Sequence, residues 1–264
     1  GYMFGEYKKI TGLFDGTLTG KSPLFGGSYG RREATGYGAV YFAQAMLESH
    51  GLGFEGKRCI VSGSGNVAIY AMEKLAELGA KVIACSDRGG VLMDESGIDI
   101  DIIKQIKETD RASLASYGKG SYTPTKITDL ACDYAFFCAT QNEVDTDGAR
   151  AMISNGVKAV VEGANMPLTN EAADMLISSG VLYAPSKAAN AGGVAVSGLE
   201  MGQDALFLQS THTEIDAKLK SIMQNIFEEC RKTAKEFGDE KNLKMGANIA
   251  GFRRVADAMI KQGL

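Results

Sequence analysis

Histidine is nearly absent from this 264-residue sequence: only His50 and His212 occur, in unrelated segments. A Ser/His/Asp triad, an HExxH site and most zinc geometries need a histidine held close to other functional side chains. Neither histidine has that company, so those chemistries are set aside and no metal site is expected. Proline is also scarce, and Cys59, Cys85, Cys132, Cys138 and Cys230 make an odd set with no CxxC pair. Such usage reads as reduced core thiols in a reducing compartment. No apolar run approaches the roughly 18 to 20 residues that a bilayer span needs. The opening GYMFGEYKKI has the form of neither a signal nor a transit peptide. Lys plus Arg total 28 against 32 Asp plus Glu, a net charge of −4, which poorly matches a nucleic acid or an anionic membrane. The expected partner is a small molecule, and the expected location is the cytoplasm.

Hydrophobic residues make up 45% of the chain. At this length a fold removes roughly 70 to 75% of the extended surface from water, so disorder is excluded. With ~150 residues as a soft measure of one domain, one large domain or one domain plus part of another both fit. Glycine, at 33 residues, is abundant.

Residues 1–30 are Gly-rich and weakly periodic, a helix-like start followed by loop. Val40, Ala43, Met46 and Leu47 then recur at helical spacing, so a helix is expected over 34–50. KRCIVSG (57–63) reads as a strand, GNVAIYAMEKLAELGA as a helix and KVIACSD (81–87) as the next strand. Strand, Gly-rich turn, helix and strand within about 30 residues form a βαβ unit. The alternation continues with a helix at 98–108, a strand at 133–139, a helix at 147–156 and a strand at 158–165. EAADMLISSG follows as a helix and 181–185 as a strand. After Pro185 helices are expected from Gly193 to Leu208, over 212–236 and over 247–262. Short apolar strands separated by helices predict an α/β fold: a doubly wound, Rossmann-like, mostly parallel sheet with helices on both faces and a helical C-terminal extension.

The turn Gly63-Ser64-Gly65-Asn66-Val67-Ala68 is a GxGxxA between strand and helix. Gly63 permits the tight turn, Gly65 lets the backbone approach a pyrophosphate, and Ala68 lets helix and strand pack closely. Methyltransferases also cradle a cofactor on a first βα turn, but they usually carry an acid just ahead of the loop, where this strand has Cys59-Ile60-Val61-Ser62. Asp87 ends the second strand about 20 residues on from Gly65, where an acid would bond the adenosine ribose 2′-hydroxyl. Arg88 follows, and a guanidinium there would pair with a 2′-phosphate. Three more turns lie beyond strand ends: Ala139-Thr140-Gln141-Asn142, Gly163 to Pro167, and Ala189 to Gly193. Their amides and hydroxyl suit the holding of a planar carboxamide ring.

Together, the segments 18–38 (LTGKSPLFGGSYGRREATGYG), 61–68 (VSGSGNVA), 138–145 (CATQNEVD), 162–167 (EGANMP), 185–201 (PSKAANAGGVAVSGLEM) and 246–252 (GANIAGF) resemble the cofactor-binding half of hexameric glutamate dehydrogenases, most nearly the NADP-dependent microbial type. Their order and spacing match over essentially the whole chain. The resemblance implies oxidative deamination of L-glutamate to 2-oxoglutarate and ammonium, or the reverse, by hydride transfer with NAD(P). It implies that Arg31 and Thr35 face the cofactor, and that Gly63, Ser64, Gly65, Asn66 and Val67 form the pyrophosphate turn. Asp87 and Arg88 would lie at the ribose. Ala139, Thr140, Gln141, Asn165 and Asn190 would contact ribose and nicotinamide. Thr19, Val194 and Ser197 would face substrate, with Ser197 opening a helix whose N-terminus favours the distal carboxylate. NADP is the expected cofactor, with NAD the alternative, because Ser64 and SDRGG resemble the NADP-type members; Asp87 would then be turned aside, or the phosphate would bind through the far face of Arg88.

In that family the carboxylate-binding lysines, the catalytic lysine and the proton-shuttling aspartate belong to an N-terminal domain ahead of Gly1. Lys8, Lys9 and Lys21 do not occupy those positions, so no catalytic acid or base is assigned here. Residues 1–30 are expected to be a remnant of that domain with a hinge near Gly26 to Gly30. Residues 31–264 are expected to form the dinucleotide-binding domain, inactive alone and part of a hexamer in the parent. Two competing readings are a stand-alone cofactor-binding or regulatory module and a dehydrogenase for leucine, valine or phenylalanine.

Overall fold

A computed structural model of the chain describes residues 1–16 and 18–264. Its centre is a sheet with strand order β4-β3-β2-β1-β5-β6-β7. The strands β1 (Arg58–Ser62), β2 (Lys81–Asp87), β5 (Tyr134–Phe137), β6 (Ala159–Glu162) and β7 (Leu182–Ala184) are parallel. Each is short, apolar and buried on both faces. Alternate side chains therefore feed two separate cores. Val61, Phe136 and Val161 pack with α2 (Ala34–Glu48), α3 (Asn66–Glu77) and α9 (His212–Glu236). Ile60, Phe137 and Val160 pack with α5 (Thr146–Ser154) and α6 (Asn170–Ser178).

The helix α3 leads from β1 to β2 on one side, and β5 then pairs with the other side of β1. That reversal opens a crevice at the carboxyl ends of β1 and β5, where open α/β sheets bind ligands. The doubly wound prediction therefore holds, with one addition. Strands β3 (Gly90–Met93) and β4 (Ser121–Thr123) extend the sheet antiparallel beyond β2. Between β2 and β3 lie only Arg88 and Gly89, and β4 is three residues with no apolar run, so neither carries a strong periodic signal.

Other departures are local. The helix expected over 98–108 is α4 (Ile100–Lys104), capped by Asp99, followed by a wider π turn over Gln105–Thr109. A four-residue helix, α7 (Ser186–Ala189), follows β7, and α8 spans Gly192–Leu206. The last helix, α10 (Leu243–Gln262), starts four residues earlier than expected because Asn242 caps it.

Residues 1–30 hold α1 (Tyr2–Thr11), whose Phe4 is buried against Phe14 and Phe25 at ring separations of 5.4 and 6.2 Å. Helices α2 and α8 meet backbone to backbone. A Cβ on Gly192 would fall 2.1 Å from the Ala34 carbonyl oxygen, so only glycine allows this approach. The contact carries the start of α8 to the mouth of the crevice.

Candidate functional site

The crevice is a cleft of about 660 Å³. Val67 comes to it from the turn after β1, Cys138 and Ala139 from β5, Gly163, Ala164 and Asn165 from β6, and Asn190 from α7. Thr19, Arg31, Thr35, Gly193, Val194 and Ser197 close the opposite wall.

The two glycines of the β1 turn have different reasons to be glycine. Gly63 has φ +86°, its N–H donates to Ser86 Oγ at 2.9 Å, and a Cβ would crowd Ala139 at 3.1 Å. The fold itself requires it. Gly65 has φ −87° and ψ −174°, an ordinary extended conformation, and a Cβ there would meet nothing within 4 Å. What this glycine permits is the close approach of something from outside the chain. Helix α3 starts immediately after it with no side-chain cap, so the first N–H groups and the positive end of the helix face that approach. Ala68 is fully buried. The turn therefore fits a pyrophosphate.

Two carboxylates, half-buried Glu143 and buried Glu162, tie the surrounding loops together. Ser62 Oγ donates to Glu143 at 2.8 Å and accepts from the Cys138 N–H at 2.8 Å, while Ala139 N–H also donates to Glu143. Burial raises the Glu143 carboxyl, and these donors only partly offset that. Glu162 accepts from Leu168 N–H at 3.1 Å and Ser186 N–H at 2.7 Å, joining the β6 and β7 loops. The Asn142 N–H donates to the Met166 carbonyl at 2.9 Å, closing the set. Asn190 Nδ2 donates to Asn165 Oδ1 at 2.6 Å across the same floor.

On the opposite wall, Ser197 Oγ accepts from Arg31 Nε at 2.8 Å and from Thr19 Oγ1 at 3.2 Å. The expectation that Ser197 opens a helix is corrected. Helix α8 begins at Gly192, which leaves Ser197 beyond the first turn, where the helix-end field has faded. Its place is set by side-chain bonds instead. Thr19 is held there by its neighbour Lys21, whose buried ammonium bonds Glu200 and Asp204 of α8, each at 2.7 Å.

A family model described as Glutamate/Leucine/Phenylalanine/Valine dehydrogenase matches residues 26–263. The chain belongs to this dehydrogenase family. The NADP-specific glutamate dehydrogenase of Helicobacter pylori strain J99 is 49% identical over 276 residues, covering 100% of this chain and 62% of its own length. That of Escherichia coli K12 is 50% identical over 271 residues, covering 100% and 60%. The chain thus spans about 60% of the length of these curated relatives. Among solved structures, a Plasmodium falciparum glutamate dehydrogenase superposes with a TM-score of 0.97 at 45% identity, over 100% of this chain and 58% of that one. The hetero-hexameric glutamate dehydrogenase of Thermus thermophilus superposes at 0.90 with 26% identity, over 100% and 61%.

Within this dehydrogenase fold the remaining sequence candidates divide. Ser64, Gly65 and Asn66 do not line the cleft themselves but directly precede Val67, which does. Thr140 and Gln141 are exposed and do not line it; Gln141 borders a neighbouring hollow with Glu162 and Lys187. Arg31, placed by sequence with the cofactor, bonds Ser197, which the sequence placed with the substrate. Sequence reasoning missed Ser62, Glu143, Glu162, Glu200 and Asp204 as organisers of the site. The signal was a polar residue ending a buried strand, as in VVEG, or an acid on an otherwise small-residue helix.

Asp87 and Arg88 sit at the β2–β3 hairpin. Asp87 accepts from Tyr122 Oη at 2.6 Å, Leu114 N–H at 2.9 Å, Gly89 N–H at 3.0 Å and Ser113 Oγ at 3.1 Å. Burial alone would raise its carboxyl, but these donors outweigh it and hold it at about 2, below the ordinary 3.8. A depressed carboxyl stabilises the fold fully above about pH 4, and the contribution is lost as pH falls through its folded value. The urea midpoint of Asp87→Asn is therefore expected to lie below that of the wild type at about pH 5, with the gap closing towards about pH 2. A constant gap would show that the charge of Asp87 is not what the four donors hold.

Proposed function

We propose that this chain is the nicotinamide-cofactor-binding portion of an NADP-dependent glutamate dehydrogenase. It interconverts L-glutamate with 2-oxoglutarate and ammonium when joined to the remainder of the protein. One observation carries the reading: a single cleft holds the Thr19–Ser197–Arg31 group and Thr35 opposite the Asn165–Asn190 pair and the pyrophosphate turn. Bound there, the nicotinamide cofactor supplies the hydride acceptor for glutamate oxidation and the donor for the reverse. Gly63, Ser64, Gly65, Asn66 and Val67 receive the pyrophosphate. Thr35, Ala139, Asn165 and Asn190 hold the ring and its ribose, with Thr140 and Gln141 at the outer margin. Ser197, Thr19 and Val194 orient the substrate, and Arg31 adds a fixed positive charge beside Ser197. Such positioning supplies much of the rate in hydride transfer. A dehydrogenase for leucine, valine or phenylalanine is disfavoured by this same polar group, which an apolar side chain would leave without a partner.

Among the described residues lining the cleft, the ionisable ones are Arg31 and Cys138. Burial pushes the Cys138 thiol far up, so it serves as neither nucleophile nor base. General acid/base chemistry at the α-carbon then comes from elsewhere in the protein. In this reading residues 1–30 belong to the substrate domain and hinge, and residues 31–264 form the dinucleotide-binding domain. The exposed apolar side chains Leu206, Phe207 and Leu208 at the end of α8, and Phe252, Val255 and Ile260 on α10, suit cover by that remaining part or by other subunits of a hexamer. The compartment is cytoplasmic; no helix among the described residues is long and apolar enough to cross a membrane. The isolated chain is expected to bind NADPH and to show no glutamate oxidation. Turnover above background would refute this division of labour, and absence of NADPH binding would refute the cofactor assignment.

A further inference from the structure

The acid at the end of β2 would, by its position, read an adenosine ribose hydroxyl. A carboxylate has about four acceptor positions, and those of Asp87 are already met by four donors of the chain. Two come from the turn that begins at Ser113, one from the hairpin and one from Tyr122 on β4. The last is built for: a Cβ on Gly89 would sit 2.4 Å from the Tyr122 hydroxyl oxygen, so glycine in SDRGG leaves the space in which the phenol reaches Asp87. The bond also raises the Tyr122 phenol, so it remains a donor at neutral pH. Lys107 Nζ, anchored on the Ala112 carbonyl at 2.9 Å, stands 3.7 Å from Asp87. Arg88 is exposed in the hairpin itself.

We propose that Tyr122, supported by Ser113, is a positioning residue for cofactor choice: it keeps Asp87 bonded to the protein, so that a ribose 2′-phosphate meets Arg88 and Lys107 rather than a free carboxylate. The proposal rests on the reading of the chain as a nicotinamide dinucleotide binder. Physically, a ribose hydroxyl gains a partner only by displacing one of the four donors, which removes the usual advantage of NADH. A phosphate meets two cations and a carboxylate whose charge is spread over four hydrogen bonds and an ion pair. Releasing one acceptor position reverses both effects. The freed oxygen repels the phosphate and accepts from the hydroxyl.

The test is fluorescence titration of the chain with NADPH and NADH, with thermal melts to confirm folding. Tyr122→Phe is expected to lower the NADPH-to-NADH affinity ratio roughly tenfold, the scale of one hydrogen bond to a charged group. Ser113→Ala should move the ratio in the same direction by less, and it carries the test if Tyr122→Phe does not fold. In an Asp87→Ala background, Tyr122→Phe should change the ratio by less than about twofold, because the group it acts through is gone. Equal weakening of both cofactors by Tyr122→Phe, an unchanged ratio, or a full effect in the Asp87→Ala background would each overturn the proposal alone. A wild-type chain that binds NADH at least as tightly as NADPH would overturn the cofactor reading as well.

Discussion

Lys21→Met is expected to destabilise the chain by roughly 3 to 5 kcal/mol, the cost of leaving a buried ionic cluster without its cation. The ammonium of Lys21 bonds Glu200 at 2.7 Å, Asp204 at 2.7 Å and the Leu18 carbonyl at 2.6 Å. The three side chains are 2%, 0% and 2% exposed, so water cannot take over solvation of the two carboxylates. Burial by itself would pull the Lys21 ammonium down, but Asp204 and Glu200 outweigh it and hold it above the ordinary lysine range. Lys21 therefore keeps its charge throughout neutral pH. The backbone N–H groups of Gly20 and Lys21 also donate to Glu200, so the same cluster fixes the chain on either side of Thr19. For a chain of this size the loss corresponds to a fall in Tm of roughly 5 to 10 °C. Adding Glu200→Gln and Asp204→Asn should recover much of the loss, since neutral groups need no counter-charge. A single-variant effect under about 1 kcal/mol, the size of an exposed pair, would show that this cluster is solvated in solution.

Gly65→Val is expected to abolish cofactor binding while leaving the fold intact. The backbone at Gly65 is extended and its missing side chain would point into open space, so valine meets no strain and no protein atom. The Tm should shift by no more than about 2 °C, as for a surface substitution. NADPH affinity should fall by more than about a hundredfold, because two added methyl groups occupy the path by which a pyrophosphate reaches the first N–H groups of α3. Gly63→Ala provides the contrast. At φ +86° and 3.1 Å from Ala139 it should cost about 1 to 3 kcal/mol of stability with or without ligand. Affinity retained within about threefold in Gly65→Val would overturn the placement of the pyrophosphate at this turn.

The GxGxxA turn was readable in the chain because its demands are local. Gly63 needs a left-handed φ, Ala68 needs a small side chain, and both follow from a strand passing tightly into a helix. The runs around β5, β6 and β7 were readable because burial on both faces demands unbroken apolar residues. Strands β3 and β4 were not: their hairpin turn is two residues and β4 is short and polar, so pairing with β2 decides their conformation. Ser197, expected to face substrate from the opening of a helix, lines the cleft from beyond the first turn of α8. Its neighbours Thr19 and Arg31 lie more than 160 positions away in the chain, and no local spacing reports such a bond.

Composition, periodicity and turn chemistry were enough to establish a doubly wound α/β fold, its GxGxxA turn and the loops that flank its cleft. These features depend on residues within one element or one crossover, where backbone sterics and side-chain period act directly. The tertiary structure alone decided that Asp87 is bonded to Tyr122 and the Ser113 turn, that Arg31 stands with Ser197, and that Lys21 is paired with two buried acids of α8. Each of these is a charge whose partner comes from a distant part of the chain, and a charge shows its role only when its neighbours are in place.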